Sequence, residues 1–334
     1  MGAEHPFAQY VRILGRGPGR SRALTQDEAR EAMRMIIAGE AEPAQIGALL
    51  MLMRYRQESP AELAGFVEAL RASFTLPCTP TSIDLDWPSY AAGRTRGEPW
   101  FLLAALLLAE NGIRVVMHAP GRAGSALVEG LAALGLPTDG TEVGASLAAR
   151  NFAFLPLDAF CPSLTRLLAL RQVLGLRSAA NSVARLLNPL GASAVLQGVF
   201  HPAYRELHRA AAALLGQPDL AVFKGGGGEA ERNPDKPCRV VALARGVAAD
   251  EEWPPLPGPV GVDSAGVTAS HPLLACWQGA LAEPVRTVIA TAAVALRLAG
   301  RAVTPQDADI LAARMWTARD KSRYGRPVQA RAIA

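Results

Sequence analysis

The chain has 334 residues, half of them hydrophobic and only 19% charged, which suits a large buried core and excludes a disordered or fibrous chain. Its apolar run from Phe101 to Ala109 spans nine residues, where a bilayer-spanning helix needs about 20. The net charge is +4, from 34 Lys+Arg against 30 Asp+Glu, a balance that by itself points to no partner. The polar start, Glu4-His5-Pro6 with arginines soon after, lacks the apolar stretch of a signal peptide, so the cytoplasm is the expected compartment. Cys78, Cys161, Cys238 and Cys276 form no Cys-x-x-Cys pair and read as reduced and structural.

In chain order, Thr25-Gln26-Asp27-Glu28 is a capping-box pattern that opens an amphipathic helix through Ala29, Met33, Ile36 and Ile37 and stops at Gly39. Glu42-Pro43 starts a second helix with Ile46, Leu49, Leu50 and Met53 on its apolar face, and Ser59-Pro60-Ala61-Glu62 caps a third that runs to about Phe74. Residues 1–76 therefore read as a helical domain, joined by helices from about 162–190. Residues 77–334 read as an α/β domain. Strands are expected at Ile83–Asp86, Ile113–His118, Ala194–Val199, Leu220–Lys224, Arg239–Ala244 and Pro259–Val262. Helices are expected at Trp100–Asn111, Ser125–Leu134, Tyr204–Leu215, Pro272–Gly279, Glu283–Ala299 and Pro305–Thr317. That alternation argues for a largely parallel sheet with crossover helices.

Charge is unevenly placed. Arg12, Arg16, Arg20 and Arg22 lie between Glu4 and Asp27 with no acid among them, and Arg166, Arg171, Arg177, Arg185 and Arg205 lie in the same way between Asp158 and Glu206. The tail adds Arg319, Lys321, Arg323, Arg326 and Arg331 against Asp320. Each stretch alone suits a solvated face. Converging in space, they would attract a polyanion, and arginine's planar fork suits phosphate. Aromatic residues are only 6% of the chain, which gives a base-stacking platform little support.

Three segments carry a resemblance. His118-Ala119-Pro120-Gly121-Arg122 ahead of a helix resembles the Lys-His-Gly-Asn-Arg segment of anthranilate phosphoribosyltransferases. Arg177 and Asn181, followed by Asn188-Pro189, keep the spacing of that family's Arg-Thr-x-Phe-Asn…Asn-Pro stretch. Val222 to Glu231 occupies the place of its His-Gly-x-Asp-Gly-x-Asp-Glu segment. The resemblance covers nearly the whole chain. It implies the nucleoside phosphorylase/phosphoribosyltransferase-like fold, a homodimer through the helical domain, an arginine (Arg177) beside an aromatic acid acceptor, and magnesium if a phosphoribosyl donor is used.

The sequence also departs from that pattern. Tyr90-Ala91-Ala92-Gly93-Arg94-Thr95-Arg96-Gly97 stands where the family carries Gly-Thr-Gly-Gly-Asp, whose glycines let backbone amides approach pyrophosphate. Ala230-Glu231 replaces the Asp-Glu pair that holds magnesium, leaving Glu231 as the one candidate metal ligand, and no metal site is expected. With Asp86-Trp87-Pro88-Ser89-Tyr90 and Glu231-Arg232-Asn233-Pro234-Asp235, the chain is most similar to the YbiB branch of the superfamily. That resemblance implies sequence-independent DNA binding by a dimer with a basic groove.

Two readings follow. In the first, a binder of DNA, with RNA left open, uses Arg16, Arg20, Arg94, Arg96, Arg122, Arg177, Lys224, Gly225, Arg319, Lys321 and Arg323 to neutralise phosphates and requires no cofactor. In the second, a glycosyl or phosphoribosyl transferase keeps an inherited cleft built from Gly93, Thr95, His118, Asn181, Asn188 and Glu231. Gly225 to Gly228 suits either a phosphate cradle or a surface loop. Glu229 and Glu231 read as charges on an exposed turn, and His118 as structural.

Overall fold

A computed structural model describes residues 4–17, 19–76, 82–91, 97–258 and 271–325. Four helices form the first lobe: α1 (Ala8–Gly15), α2 (Gln26–Ile37), α3 (Pro43–Arg56) and α4 (Pro60–Arg71). Thr25 and Ser59 cap α2 and α4, and in both boxes the glutamate three residues on accepts a hydrogen bond from the cap amide. Glu62 also accepts from the Leu24 amide at 2.9 Å, tying the two caps together. Gly65 lets α4 lie directly on α2. A Cβ there would sit 2.2 Å from the Gln26 carbonyl oxygen, so only glycine permits that approach.

The α/β part follows as β1 (Leu85–Pro88), α5 (Trp100–Glu110), β2 (Val115–Ala119), α6 (Ala126–Ala133), α7 (Val143–Arg150) and β3 (Phe152–Pro156). A helical excursion, α8 (Leu157–Phe160), α9 (Pro162–Ala169), α10 (Arg171–Leu174) and α11 (Ala180–Arg185), returns to the first lobe. Its Leu164, Leu167 and Val183 share one buried cluster with Phe66 and Leu70 of α4. The chain then forms β4 (Ala194–Val199), α12 (Tyr204–Leu214), β5 (Asp219–Lys224), β6 (Cys238–Ala244), β7 (Val247–Ala248), β8 (Glu251–Trp253), α13 (Pro272–Gln278), α14 (Val285–Leu298) and α15 (Pro305–Ala318).

The sheet runs β3-β2-β1-β4-β5 in parallel, and β6 adds antiparallel to β5 with β7 and β8 beyond it. The expected fold class, a small helical domain with a mostly parallel α/β domain, is the one observed. Helices α5 and α14 are buried against the sheet with α15 outside them, and the apolar surface they remove from water dominates the larger core. No helix among the described residues is long and apolar enough to cross a membrane.

Local details differ from the sequence reading. The first strand starts at Leu85 rather than Ile83, because Asp84 is spent on the Arg114 amide outside the ladder. Strand β3 has no counterpart in that reading: Phe-Ala-Phe-Leu-Pro is short, apolar throughout and buried on both faces, so it shows no alternation. The strand expected at Pro259–Val262 lies outside the described residues.

Candidate anion-binding cleft at the ligand edge

The parallel order reverses direction of growth at β1, whose neighbours are β2 and β4. Connections on either side of such a switch point leave the sheet in opposite directions and open a crevice at the carboxyl ends of the strands. Three segments meet there: Ser89–Ala91 after β1, Phe200–Ala203 after β4 and Gly225–Glu231 after β5. Val199 pairs with Lys224, so the last two leave the sheet side by side.

Beneath the crevice lies a buried chain of hydrogen bonds. The Tyr90 hydroxyl is 2.7 Å from His118 Nδ1, and His118 Nε2 is 3.2 Å from Asp86 Oδ2. The carboxylate can only accept, which places the ring proton on Nε2 and makes Nδ1 the acceptor of the phenol. Burial, followed by the Asp86 charge, raises the Tyr90 phenol well above its ordinary range. The chain therefore stays protonated at the phenol and braces the end of β1. His118 is a structural group below the cleft, with no surface open to a ligand.

The two glutamates sit differently from the exposed turn expected of them. Both are buried. After β5 the backbone folds back tightly: a Cβ on Gly198 would lie 2.0 Å, and one on Gly225 1.7 Å, from the Glu229 carbonyl oxygen. That fold drives both carboxylates inward. Glu229 Oε1 accepts from the Ala91 amide at 2.7 Å, and Glu231 Oε2 accepts from the Phe101 amide at 3.1 Å. Phe101 lies in the first turn of α5, where Pro99 gives no side-chain cap and amides favour an anion. Carboxylates of the chain itself thus occupy two of the amides at this edge, those of Ala91 and Phe101.

Several basic side chains stand around the mouth, with buried Glu58 among them at the Tyr204 hydroxyl. Arg54, at the last turn of α3, donates to the Tyr204 hydroxyl at 3.0 Å. Arg177 is half-buried, and its basicity is lowered first by burial and then by Arg171, with Arg54 adding to the effect and Glu229 opposing it. That effect places Arg171 and Arg54 each within electrostatic reach of Arg177. Arg56 donates to Ser21 Oγ at 2.5 Å, which fixes the loop bearing exposed Arg16 and Arg20 at the same end of α3. Exposed Lys224 ends β5, and exposed Arg122 follows β2. Arg185 is buried, donating to the carbonyls of Gly198, Asn181 and Gly228 at 3.1, 2.8 and 3.4 Å, and so knits α11 to the cleft floor.

Comparison with known proteins decides the family. Residues 8–74 match the family model described as glycosyl transferase family, helical bundle domain. The chain is 32% identical over 305 residues to the anthranilate phosphoribosyltransferase of Methylocella silvestris, covering 87% of this chain and 86% of that protein. It belongs to the anthranilate phosphoribosyltransferase-like family. It is also 31% identical over 207 residues to Escherichia coli YbiB, a match covering 59% of this chain and 64% of YbiB. The crystal structure of anthranilate phosphoribosyltransferase from Thermus thermophilus superposes with a TM-score of 0.74 at 25% identity, over 94% of each chain. The Saccharomyces cerevisiae enzyme in complex with PRPP and Mg shares the fold, with a TM-score of 0.70 at 16% identity over 94% of each chain.

Against this family frame, the sequence-derived site residues separate. Arg177, Lys224, Gly225, Glu231 and partly exposed Asn181 lie at the crevice. Gly93, Arg94, Thr95 and Arg96 lie outside the described residues. Asn188 is not at the cleft. It precedes β4, at the opposite edge of the sheet, where its amide holds the Ala192 carbonyl and Gln217 at 2.9 Å each. Arg319 does not face a solvent track either: it is buried, donates to the carbonyls of Trp277 and Trp316 at 2.8 and 2.6 Å, and stacks 3.7 Å from the Trp316 ring centroid. Lys321 and Arg323 are exposed beside it. Sequence reasoning missed Arg54, Tyr204 and the buried seat of Glu229. Arg54 reads as an ordinary basic residue at a helix C-terminus, and its role needs the return of α12 to become visible.

Proposed function

We propose that this chain binds nucleic acid through its phosphate backbone, without reading base sequence, along the basic mouth of the cleft, as a homodimer paired through the helical lobe. DNA is the expected partner. The observation that carries this reading is the gathering of Arg171 and Arg54 near Arg177, with exposed Lys224 ending β5, at an edge where Glu229 and Glu231 hold the Ala91 and Phe101 amides. An anion attracted there meets guanidinium groups at the mouth. Counterion release on neutralising phosphates supplies affinity independent of sequence. Titration against unrelated duplexes of equal length tests it: equal affinities are expected, and binding to a single sequence contradicts the reading.

A second reading, phosphoribosyl transfer, is favoured by the family relationship over most of the chain and by Arg177 at the crevice. The residues present do not suit magnesium-held pyrophosphate. Ala230 stands beside Glu231, Glu231 is bonded to the α5 amide, and no group of three or more His, Cys, Asp or Glu among the described residues could hold a metal ion. In the binding reading no cofactor is required. Anthranilate mixed with phosphoribosyl pyrophosphate and excess magnesium is expected to remain unconsumed when followed by its fluorescence. Robust turnover by the pure protein promotes the transferase reading.

A further inference from the structure

We infer that the cleft mouth holds a single-stranded nucleic acid by stacking a base on Phe200. This rests on the nucleic-acid reading above and adds to it, for strands with accessible bases, a contact that a duplex does not make. Phe200 is the first residue after β4 and is 55% exposed, although every residue of β4 itself is buried. A single exposed apolar side chain on a surface needs no explanation. Its surroundings here supply one.

The Phe200 backbone is fixed against the glycine turn. Gly228 has a φ of +92°, and a Cβ there would come within 3.3 Å of Phe200, so the turn and the aromatic residue are packed as one unit. One side of the ring is braced by His201, edge to face, with centroids 4.9 Å apart and planes at 84°. The row continues through Tyr204, 6.5 Å from His201, whose hydroxyl is held by Arg54. Lys224 ends the neighbouring strand in register with Val199, so a cation stands one residue from the ring on the paired strand.

A rigid aromatic ring flanked by cations on two sides matches the two halves of a nucleotide. The base offers a π-face to Phe200, and its flanking phosphates meet Lys224 on one side and Arg54, at the Tyr204 end of the aromatic row, on the other. Paired bases in a duplex are stacked on one another and hide those faces. Aromatic scarcity across the chain does not bear on this, because one well-placed ring suffices for one base.

The test is an anisotropy titration of a labelled oligothymidylate of about 12 nucleotides, within the ~4–16 usual for a single-strand groove, beside an abasic strand of equal length and charge. Phe200→Ala is expected to weaken oligothymidylate binding about tenfold and Phe200→Tyr to retain it, since the alanine has no ring for the base to stack on. Binding of the abasic strand and the salt slope stay unchanged, because no phosphate contact is removed. The inference is overturned if Phe200→Ala binds oligothymidylate within about twofold of the unaltered chain, or if both strands weaken alike; the ~1.4 kcal/mol of a tenfold effect is well resolved. Failure of the unaltered chain to bind any strand or duplex overturns the nucleic-acid reading as well, and so is told apart from failure of the stacking alone.

Discussion

Arginines at the cleft mouth and arginines packed against the C-terminal helices are the same residue type, yet they do opposite things. Arg232 is fully buried: Nη1 donates to Asp309 Oδ1 at 2.8 Å, Nη2 to the Pro254 carbonyl at 2.5 Å, and the guanidinium lies 4.8 Å over the Trp253 ring. Arg319 is held in the same manner by Trp277 and Trp316. At the mouth, arginine stands near arginine, and Arg177 loses basicity to Arg171 and Arg54. Aromatic faces and carbonyls turn a guanidinium into a staple, whereas neighbouring guanidinium groups sum to a field that draws an anion. Position along the chain does not distinguish the two.

The sharpest way to break this contrast is to remove a staple. Arg232→Ala strands Asp309, whose carboxyl burial already pushes upward against the pull of Arg232, and should destabilise the fold by about 3–5 kcal/mol. Urea denaturation measures the loss. Affinity of the remaining folded protein for DNA should be unchanged, and a specific loss of affinity would move Arg232 into the binding region.

His208 probes the boundary between the regions, since it is buried on α12 and feels Arg185 at the cleft floor. Burial first, and then Arg185, holds its imidazole down at about 3, against an ordinary 6.5. The unfolded chain therefore takes up a proton near pH 6.5 that the folded chain refuses until about pH 3, so this residue's contribution to stability is lost as pH falls through that window. His208→Gln should flatten stability against pH by about 1.4 kcal/mol per unit between about pH 6 and pH 4, relative to the parent chain. Parallel curves would contradict a neutral, buried His208.

The smallest effect on stability belongs to the mouth. Arg54→Ala and Lys224→Ala should each shift unfolding free energy by less than about 0.5 kcal/mol while weakening binding to every DNA sequence alike. Unaltered affinity in both variants, or a change confined to one sequence, would remove the contrast on which the account rests.

What the sequence disclosed follows how local its physics is. The boxes at Thr25 and Ser59 are complete within four residues, and both helices start where those boxes place them. β4 is expected at Ala194–Val199 and is found there, because a short apolar run closely followed by a helix leaves few alternatives. The burial of Glu229 was illegible, since its amide partner is 138 residues away at Ala91 and the approach depends on Gly198 and Gly225. Arg319 misled for the same reason: the ring and carbonyl of Trp277 that receive it lie 42 residues earlier. Charge is readable from sequence, but whether it is neutralised is a tertiary fact.

Salt dependence tests the central claim most directly. The logarithm of the association constant for a random-sequence duplex, plotted against the logarithm of salt concentration, should fall with a slope of about −5 for about six neutralised phosphates. Arg54→Ala and Lys224→Ala should each make that slope shallower by about one. A slope near zero, or a steep slope that neither variant changes, would contradict a phosphate-binding mouth.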